Sequence, residues 1–133
     1  MKRAAPKAVR RKAAEAPRLS LDSIVDEAIR LLGDEGLDGV SLRRLATRLG
    51  VRAPSLYWHF PDKAALLSAM MERIFDESLD SVPAHAHWRD WMRAFADALW
   101  QKQDSLRDFN RFLISTPLDE AQVHYLRTVM RRP

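Results

Sequence analysis

The chain has 133 residues, of which 47% are hydrophobic and 30% are charged. This length suits one domain, or a small domain that shares its core with a second helical layer. No apolar run approaches the roughly 20 residues of a membrane span, and the first residues lack the apolar block of a secretory leader. Because the chain has no cysteine, disulfide and thiolate chemistry are excluded. We expect a cytoplasmic protein without a membrane partner.

The net charge of +4 is unevenly distributed. Residues 1–18 contain seven basic residues and one acidic residue, whereas residues 19–133 contain 15 basic and 17 acidic residues. Within that remainder, residues 41–63 contain five basic residues and one acidic residue. This distribution is typical of a protein that neutralises phosphates. We predict that residues 1–18 form a disordered basic arm; their prolines and lack of serine disfavour the alternative of a transit peptide.

The pattern becomes helical at Leu19. Apolar residues recur at spacings of three and four as far as Leu32, and Ser20 is suited to be the N-cap. We expect Gly33 and Gly36 to end this first helix.

A second and a third helix are predicted to follow. Ser41 can cap the second helix, and Gly50 is placed to end it. Pro54 suits the first turn of a third, short helix, which should end near Phe60 because Pro61 disfavours helical backbone before it. The inward side chains of the second helix are predicted to be Leu42, Leu45, Ala46 and Leu49.

The rest of the chain also has helical periodicity. Asp62 is expected to cap a fourth helix that residues 82–84 interrupt, and three more helical stretches are predicted near residues 87–103, 106–114 and 118–131. No strand signal or internal repeat competes with these helices. The sequence therefore predicts an all-α fold.

The third predicted helix places Tyr57, Trp58, His59 and Phe60 side by side. A helix of two turns cannot bury four neighbouring side chains on one face. We assign Phe60 to the core together with Leu56, and the other three to a surface that contacts a partner. A helix ended by glycine and followed by a short basic and aromatic helix is typical of the helix-turn-helix, whose second helix enters the DNA major groove.

A metal or catalytic role for His59 is the alternative. No Asp, Glu or Cys lies near it at ligand spacing, and the remaining histidines form no recognisable metal set. We therefore predict no metal, no cofactor, no catalytic residue and no enzymatic activity.

Residues 21–70 resemble the DNA-binding domain of the TetR family of transcriptional repressors. The most specific part is Pro54-Ser55-Leu56-Tyr57-Trp58-His59 followed by Lys63-Ala64-Ala65-Leu66-Leu67, which is similar to the Tet repressor branch of that family. The resemblance implies a helix-turn-helix DNA-binding domain over residues 19–62 and a partial helical regulatory domain over residues 63–133. It also implies a homodimeric bacterial repressor, associated with the nucleoid, which reads a palindromic operator with residues 54–60 and is released by a small molecule.

The resemblance further implies which residues contact DNA. Arg43 would pair with a guanine edge, and Lys63 would hold a phosphate as a point charge. Ala53 stands where similar family members carry an amide, so a different operator is expected. For Arg44 a solvated face without a partner is one open interpretation, and for Arg48 it is the favoured one. The predicted DNA-binding set is Ser41, Arg43, Arg52, Ala53, Pro54, Ser55, Tyr57, Trp58, His59 and Lys63.

In this family the later helices enclose a small-molecule pocket. Bulky side chains in the second half of this chain can line such a pocket or fill an ordinary helical core, and the sequence leaves both open, with the core favoured for any single residue. Phe112 stands where a metal-coordinating histidine occurs in tetracycline-responsive members, so we expect an apolar or aromatic effector. The candidate pocket residues are Trp88, Trp91, Met92, Phe95, Phe109 and Phe112.

Family members continue for several more helices, including those that build the dimer. The chain ends at Pro133, shortly after an apolar face over residues 125–130. We therefore expect a truncated product, which puts dimerisation and tight operator binding at risk. Two alternatives stay open: a fragment that binds protein but holds DNA weakly, and, less favoured, an enzyme that uses His59 or the histidines near residue 85.

Overall fold

The computed structural model describes residues 19–84 and 87–131, and in these ranges the chain is helical with no strand. The predicted all-α fold is confirmed, whereas the predicted basic arm lies outside the described residues. Two short 3-10 turns, Leu37–Gly39 and Lys102–Asp104, connect the helices. The helices are α1 (Leu21–Glu35), α2 (Leu42–Leu49), α3 (Ala53–Tyr57), α4 (Lys63–Asp80), α5 (Trp88–Gln101), α6 (Phe109–Ser115) and α7 (Glu120–Met130). None of the described helices has the length and apolar character needed to cross a bilayer.

Helix α1 begins and ends through local chemistry. Ser20 and Ser23 form a reciprocal capping box, in which each side-chain oxygen accepts the other's backbone N–H at 3.1 and 3.0 Å. Gly36, with φ 77°, ends the helix. The prediction that Gly33 helps to end it is wrong, because Gly33 lies inside α1. A Cβ at Gly33 would come within 2.9 Å of the Ser105 carbonyl oxygen, so glycine permits a close backbone approach there.

A continuous core joins α1, α2, α3, α4 and α6. Because apolar residues recur every three or four positions, each of these helices directs one face inward. The core that contains Leu56 of α3 therefore extends beyond the first three helices to α4 and α6, which lie later in the chain. Fully buried side chains from the five helices are Ile24, Leu31, Leu45, Leu56, Leu66, Met70 and Phe112.

The segment before α6 is bonded to the connection between α1 and α2. The Asp108 carboxylate accepts the Leu37 N–H at 3.1 Å, and Lys63 donates to the Leu37 carbonyl at 3.3 Å. Arg111 donates to both carboxylate oxygens of Asp38 at 2.8 and 2.9 Å. These contacts hold the start of the α2–α3 unit in place from two sides.

Candidate nucleic-acid interface

A tight turn at Gly50 sets the angle between α2 and α3. Gly50 adopts the left-handed conformation, with φ 68° and ψ 28°. Its N–H bonds to the Thr47 carbonyl at 3.2 Å, and the Val51 N–H bonds to the Ala46 carbonyl at 3.0 Å. This is the Schellman arrangement that glycine favours after a helix. The predicted end of α2 is confirmed, and the chain leaves it directly into α3.

Helix α3 is shorter than predicted. It ends at Tyr57, and residues 58–60 continue in a turn in which the His59 and Phe60 N–H groups both bond to the Leu56 carbonyl at 2.9 Å. Pro54 lies in its first turn, where a missing N–H leaves no bond unmade. Because α3 ends at Tyr57, Trp58 lies in the turn that follows the helix.

The aromatic side chains of this segment divide as predicted. Leu56 is fully buried and Phe60 is 5% exposed, so both belong to the core. Trp58 is 91% exposed and Tyr57 is 51% exposed, and His59 also lies at the surface. An exposed tryptophan and tyrosine next to each other are unusual in a surface that only meets water, and typical of a binding surface. Arg52, Pro54 and Ser55 are exposed beside them, and Ala53 is half-buried.

The three arginines of α2 are not equivalent. Arg43 is exposed, and in residues 19–84 and 87–131 its side chain has neither a hydrogen bond nor an ion pair. Arg44 pairs with Glu35, and Arg48 pairs with Glu27 and Asp34. The prediction that Arg48 lies on a solvated face without a partner is therefore wrong, and the same interpretation, left open for Arg44, does not hold either, because three carboxylates of α1 lie against this side of α2.

Ser41 and Lys63 already have protein partners. The Ser41 hydroxyl oxygen accepts the Arg44 N–H at 3.1 Å as the N-cap of α2, while its own proton is still available to a phosphate. The Lys63 ammonium, at the start of α4, bonds to the Leu37 carbonyl and keeps two further protons for another acceptor. Their predicted DNA contacts stay predictions.

These elements match known proteins. The family model described as bacterial regulatory proteins, tetR family, matches residues 24–70. A solved TetR-family transcriptional regulator from Streptomyces coelicolor is 32% identical, with a TM-score of 0.68, and the match covers 84% of this chain and 68% of that one. The chain belongs to the TetR family. Within it, a TetR variant from Acinetobacter baumannii AYE in complex with minocycline is 33% identical with a TM-score of 0.71, covering 84% of this chain and 63% of that one.

Tetracycline repressor protein class D from Escherichia coli is 35% identical over 116 residues, which is 86% of this chain and 53% of the repressor. The chain thus spans about half the length of the curated relatives it matches. These proteins are named as repressors or regulators of transcription, which places this TetR-family chain among non-enzymatic proteins. Among the described residues, no group of three or more His, Asp or Glu side chains is arranged to hold a metal. His85 lies outside the described residues.

The candidate effector-pocket residues lie in two separate places. Phe109 and Phe112 stack at 6.3 Å between ring centroids inside the core with α1. Trp91 stacks on Phe95 at 5.3 Å, on α5. Trp88, near the start of α5, has the Arg89 guanidinium 5.4 Å above its ring. Met92 is half-buried on the same helix.

Two aromatic residues that contact Phe95 and Trp91 of α5 were not among the predicted pocket residues. Phe75 of α4 meets Phe95 edge to face at 5.1 Å, and Tyr125 of α7 lies 6.1 Å from Trp91. Phe75 follows Met71 at a spacing of four, and both are buried, so the helical periodicity of α4 contained this signal. No local pattern pairs Tyr125 with a tryptophan 34 positions earlier. We refer to Phe75, Trp91, Phe95 and Tyr125 as the α5 aromatic cluster.

Proposed function

We propose that this chain is a sequence-specific DNA-binding transcriptional regulator of the repressor type, which reads a palindromic operator with α3 and the turn after it. The observation that carries the proposal is the exposed pair Tyr57 and Trp58, at 51% and 91%, at the end of α3 and in the turn after it, on a segment that the buried Leu56 and Phe60 anchor in the core. A preorganised protruding helix of this size fits the major groove, which is roughly 12 Å wide. Membership of the TetR family supports the same function.

Charge supports the assignment of roles. Arg43 can donate two hydrogen bonds to one guanine edge, and its exposed guanidinium is not engaged within the described part of the chain. Arg52 and Lys63 add positive charge at the two ends of the α3 segment, where phosphates flank the groove. Ala53 and Pro54 offer apolar contact to a thymine methyl group. His59 and Ser55 complete the surface as hydrogen-bond donors.

A palindromic operator requires two linked subunits, since two half-sites a helical turn apart must be read together. We propose that the regulator acts as a homodimer, and that a small molecule releases it by favouring a spacing of the two α3 helices that no longer fits the operator.

Selection from a random duplex library, followed by gel retardation, tests this function. We expect the enriched sequences to form an inverted repeat, and sedimentation of the complex should give two chains per site. If micromolar protein sediments as a monomer and enriches no sequence, the repressor proposal fails for this chain.

Deletion of residues 1–18 tests the basic arm. With seven basic residues and one acidic residue in this segment, deletion should lower the affinity for operator and random DNA by the same factor. It should also flatten the dependence of log K on log salt, by about 0.9 for each phosphate that the arm neutralises in the intact chain. A decrease in affinity confined to the operator would show that the arm reads sequence instead.

We propose that the effector is an apolar or aromatic molecule held by the α5 aromatic cluster. Phe95 is buried, whereas Tyr125 is 42% exposed, so the cluster is closed on one side and accessible on the other. A thermal-shift screen of aromatic compounds against the wild type and Trp91→Ala tests this. Hits should stabilise the wild type only, and Trp100→Ala, at a position 67% exposed on the same helix, is the matched control. Equal stabilisation of Trp91→Ala would exclude this site.

A further inference from the structure

The carboxylates of α1 divide the arginines of α2 into two groups. Arg44 and Arg48, one turn apart, both pair with α1, whereas Arg43 does not pair with these acids. The paired acids lie 9 to 21 residues before their arginines in sequence. Two of the three positive charges of α2 are therefore balanced by carboxylates within the protein.

Two of these acids are placed against the local preference of their own helix. Asp34 and Glu35 are the last two residues of α1, and that helix has no basic residue in its final turn. Negative charge at a helix C-terminus is unfavourable because the backbone carbonyls there already carry partial negative charge. Their own helix therefore does not stabilise these two carboxylates. Ion pairs with α2 do so instead: Asp34 pairs with Arg48, and Glu35 pairs with Arg44.

Arg48 is the more firmly held of the two. Its Nε lies 2.8 Å from Glu27 Oε1, and its Nη1 lies 2.8 Å from Asp34 Oδ2. The hydrogen bond to Asp34, with a further one to Glu27, raises the pKa of the Arg48 guanidinium above its ordinary value. The two carboxylates lie on different turns of α1, so Arg48 links α2 to two points on that helix.

The ion pair of Arg44 is more exposed to solvent. Its side chain is 60% exposed, that of its partner Glu35 is 37% exposed, and the pair is a single contact at the surface. Arg44 lies on α2, the helix that crosses the DNA backbone in a helix-turn-helix. Exposed ion pairs of this kind are weak and exchange readily with other anions. A phosphate group near α2 would therefore compete with Glu35 for the same guanidinium.

We propose that Glu35 limits sequence-independent DNA binding: it occupies Arg44 and thereby lowers the affinity of the chain for the phosphates of any duplex. Affinity for random DNA comes almost entirely from phosphate neutralisation, whereas base contacts such as that of Arg43 add only at the operator. Removing one phosphate contact lowers the affinity for operator and random DNA by the same factor, so Glu35 weakens binding to DNA of any sequence. The inference rests on the DNA-binding function proposed above.

The test compares the wild type, Glu35→Gln, Arg44→Gln and the double variant by fluorescence anisotropy on a random-sequence duplex pool over a salt series. Glu35→Gln should bind the pool about three- to tenfold more tightly, with a salt slope steeper by about 0.9, because one more phosphate is neutralised. Arg44→Gln alone should change the affinity less than about twofold, and in the Glu35→Gln background it should remove the whole gain.

Asp97→Asn is the matched control, since it removes one exposed carboxylate from α5, which is not part of the α2–α3 unit. If Glu35→Gln and Asp97→Asn tighten binding equally, only net charge matters and the inference is overturned. It is also overturned if Arg44→Gln weakens random binding as much in the wild type as in Glu35→Gln. If the wild type selects an operator, but Glu35→Gln binds the random pool no more tightly than Asp97→Asn does, this inference is wrong and the proposed function stands. If neither the wild type nor Glu35→Gln binds any duplex, the proposed function fails as well.

Discussion

Helices α3 and α6 are both short and both carry bulky aromatic side chains, but they use them in opposite ways. In α6, Phe109 and Phe112 are 2% and 0% exposed and pack into the core. In α3 and the turn after it, Tyr57 and Trp58 are 51% and 91% exposed. Burial of an aromatic ring stabilises the fold, whereas an exposed ring contributes little to it. The difference separates the support of the molecule from its binding surface.

Substitution of one aromatic residue in each region tests this difference most directly. Phe112→Ala should lower the free energy of unfolding by about 3–5 kcal/mol, because it leaves a cavity in a closed core. Trp58→Ala should change it by less than about 0.5 kcal/mol, since its ring meets solvent. Chemical denaturation measures both. Ile114→Ala, at a position 87% exposed on the same helix as Phe112, is the control. A comparable loss for Trp58→Ala would assign it to the fold.

The arginines of α2 also divide into two groups. Arg43 has no ion pair within the described residues, whereas Arg44 and Arg48 pair with carboxylates of α1. Arg43→Ala should weaken operator binding by about 1–3 kcal/mol and relax one base position, because its guanidinium is available to a base edge. Arg44→Ala should cost much less, since that side chain is engaged by Glu35. Titration of both variants with the selected operator and with random DNA measures the difference. Equal losses on the two DNAs would refute a base-reading role for Arg43.

The smallest expected effect concerns the exposed pair of Asp38 and Arg111. The hydrogen bond and charge of Arg111 hold the pKa of the Asp38 carboxyl below its ordinary value of 3.8. A depressed folded-state pKa gives stability that is complete above about pH 5 and is lost as the pH falls through the folded pKa. Urea unfolding at several pH values should therefore show Asp38→Asn less stable than the wild type near neutrality, and equal to it in acid.

Arg111→Gln should reproduce that pH dependence, and the double variant should add nothing to it. A deficit in Asp38→Asn that persists in acid would show that the pair does not cause it. The effect would then come from the 3-10 turn that contains Asp38.

Much of this organisation was predictable from the sequence. Ser20, Ser41 and Asp62 cap helices as expected, because capping depends on side chains and N–H groups within three residues. The division of Leu56 and Phe60 from Tyr57, Trp58 and His59 followed from helical spacing and from crowding. The motif over residues 54–67 also identified the family.

Other features depend on contacts between distant residues. Gly33 looked like a helix end, but it is a site where the Ser105 backbone approaches α1. The partners of Arg48 could not be read from α2, because periodicity indicates a helix face without naming what lies against it. The candidate pocket residues separated for the same reason: Phe109 and Phe112 belong to the core shared with α1, whereas Phe95 meets Phe75 of α4 and Trp91 meets Tyr125 of α7.

The sequence by itself determined the helices, their caps, the family and which side chains of residues 56–60 meet solvent, because each depends on neighbours within about two helical turns. Only the tertiary structure decided which arginines of α2 are available to DNA and which aromatics form one cluster. Those outcomes depend on charges and rings brought together from helices far apart in the chain, and a local pattern carries no information about such distances.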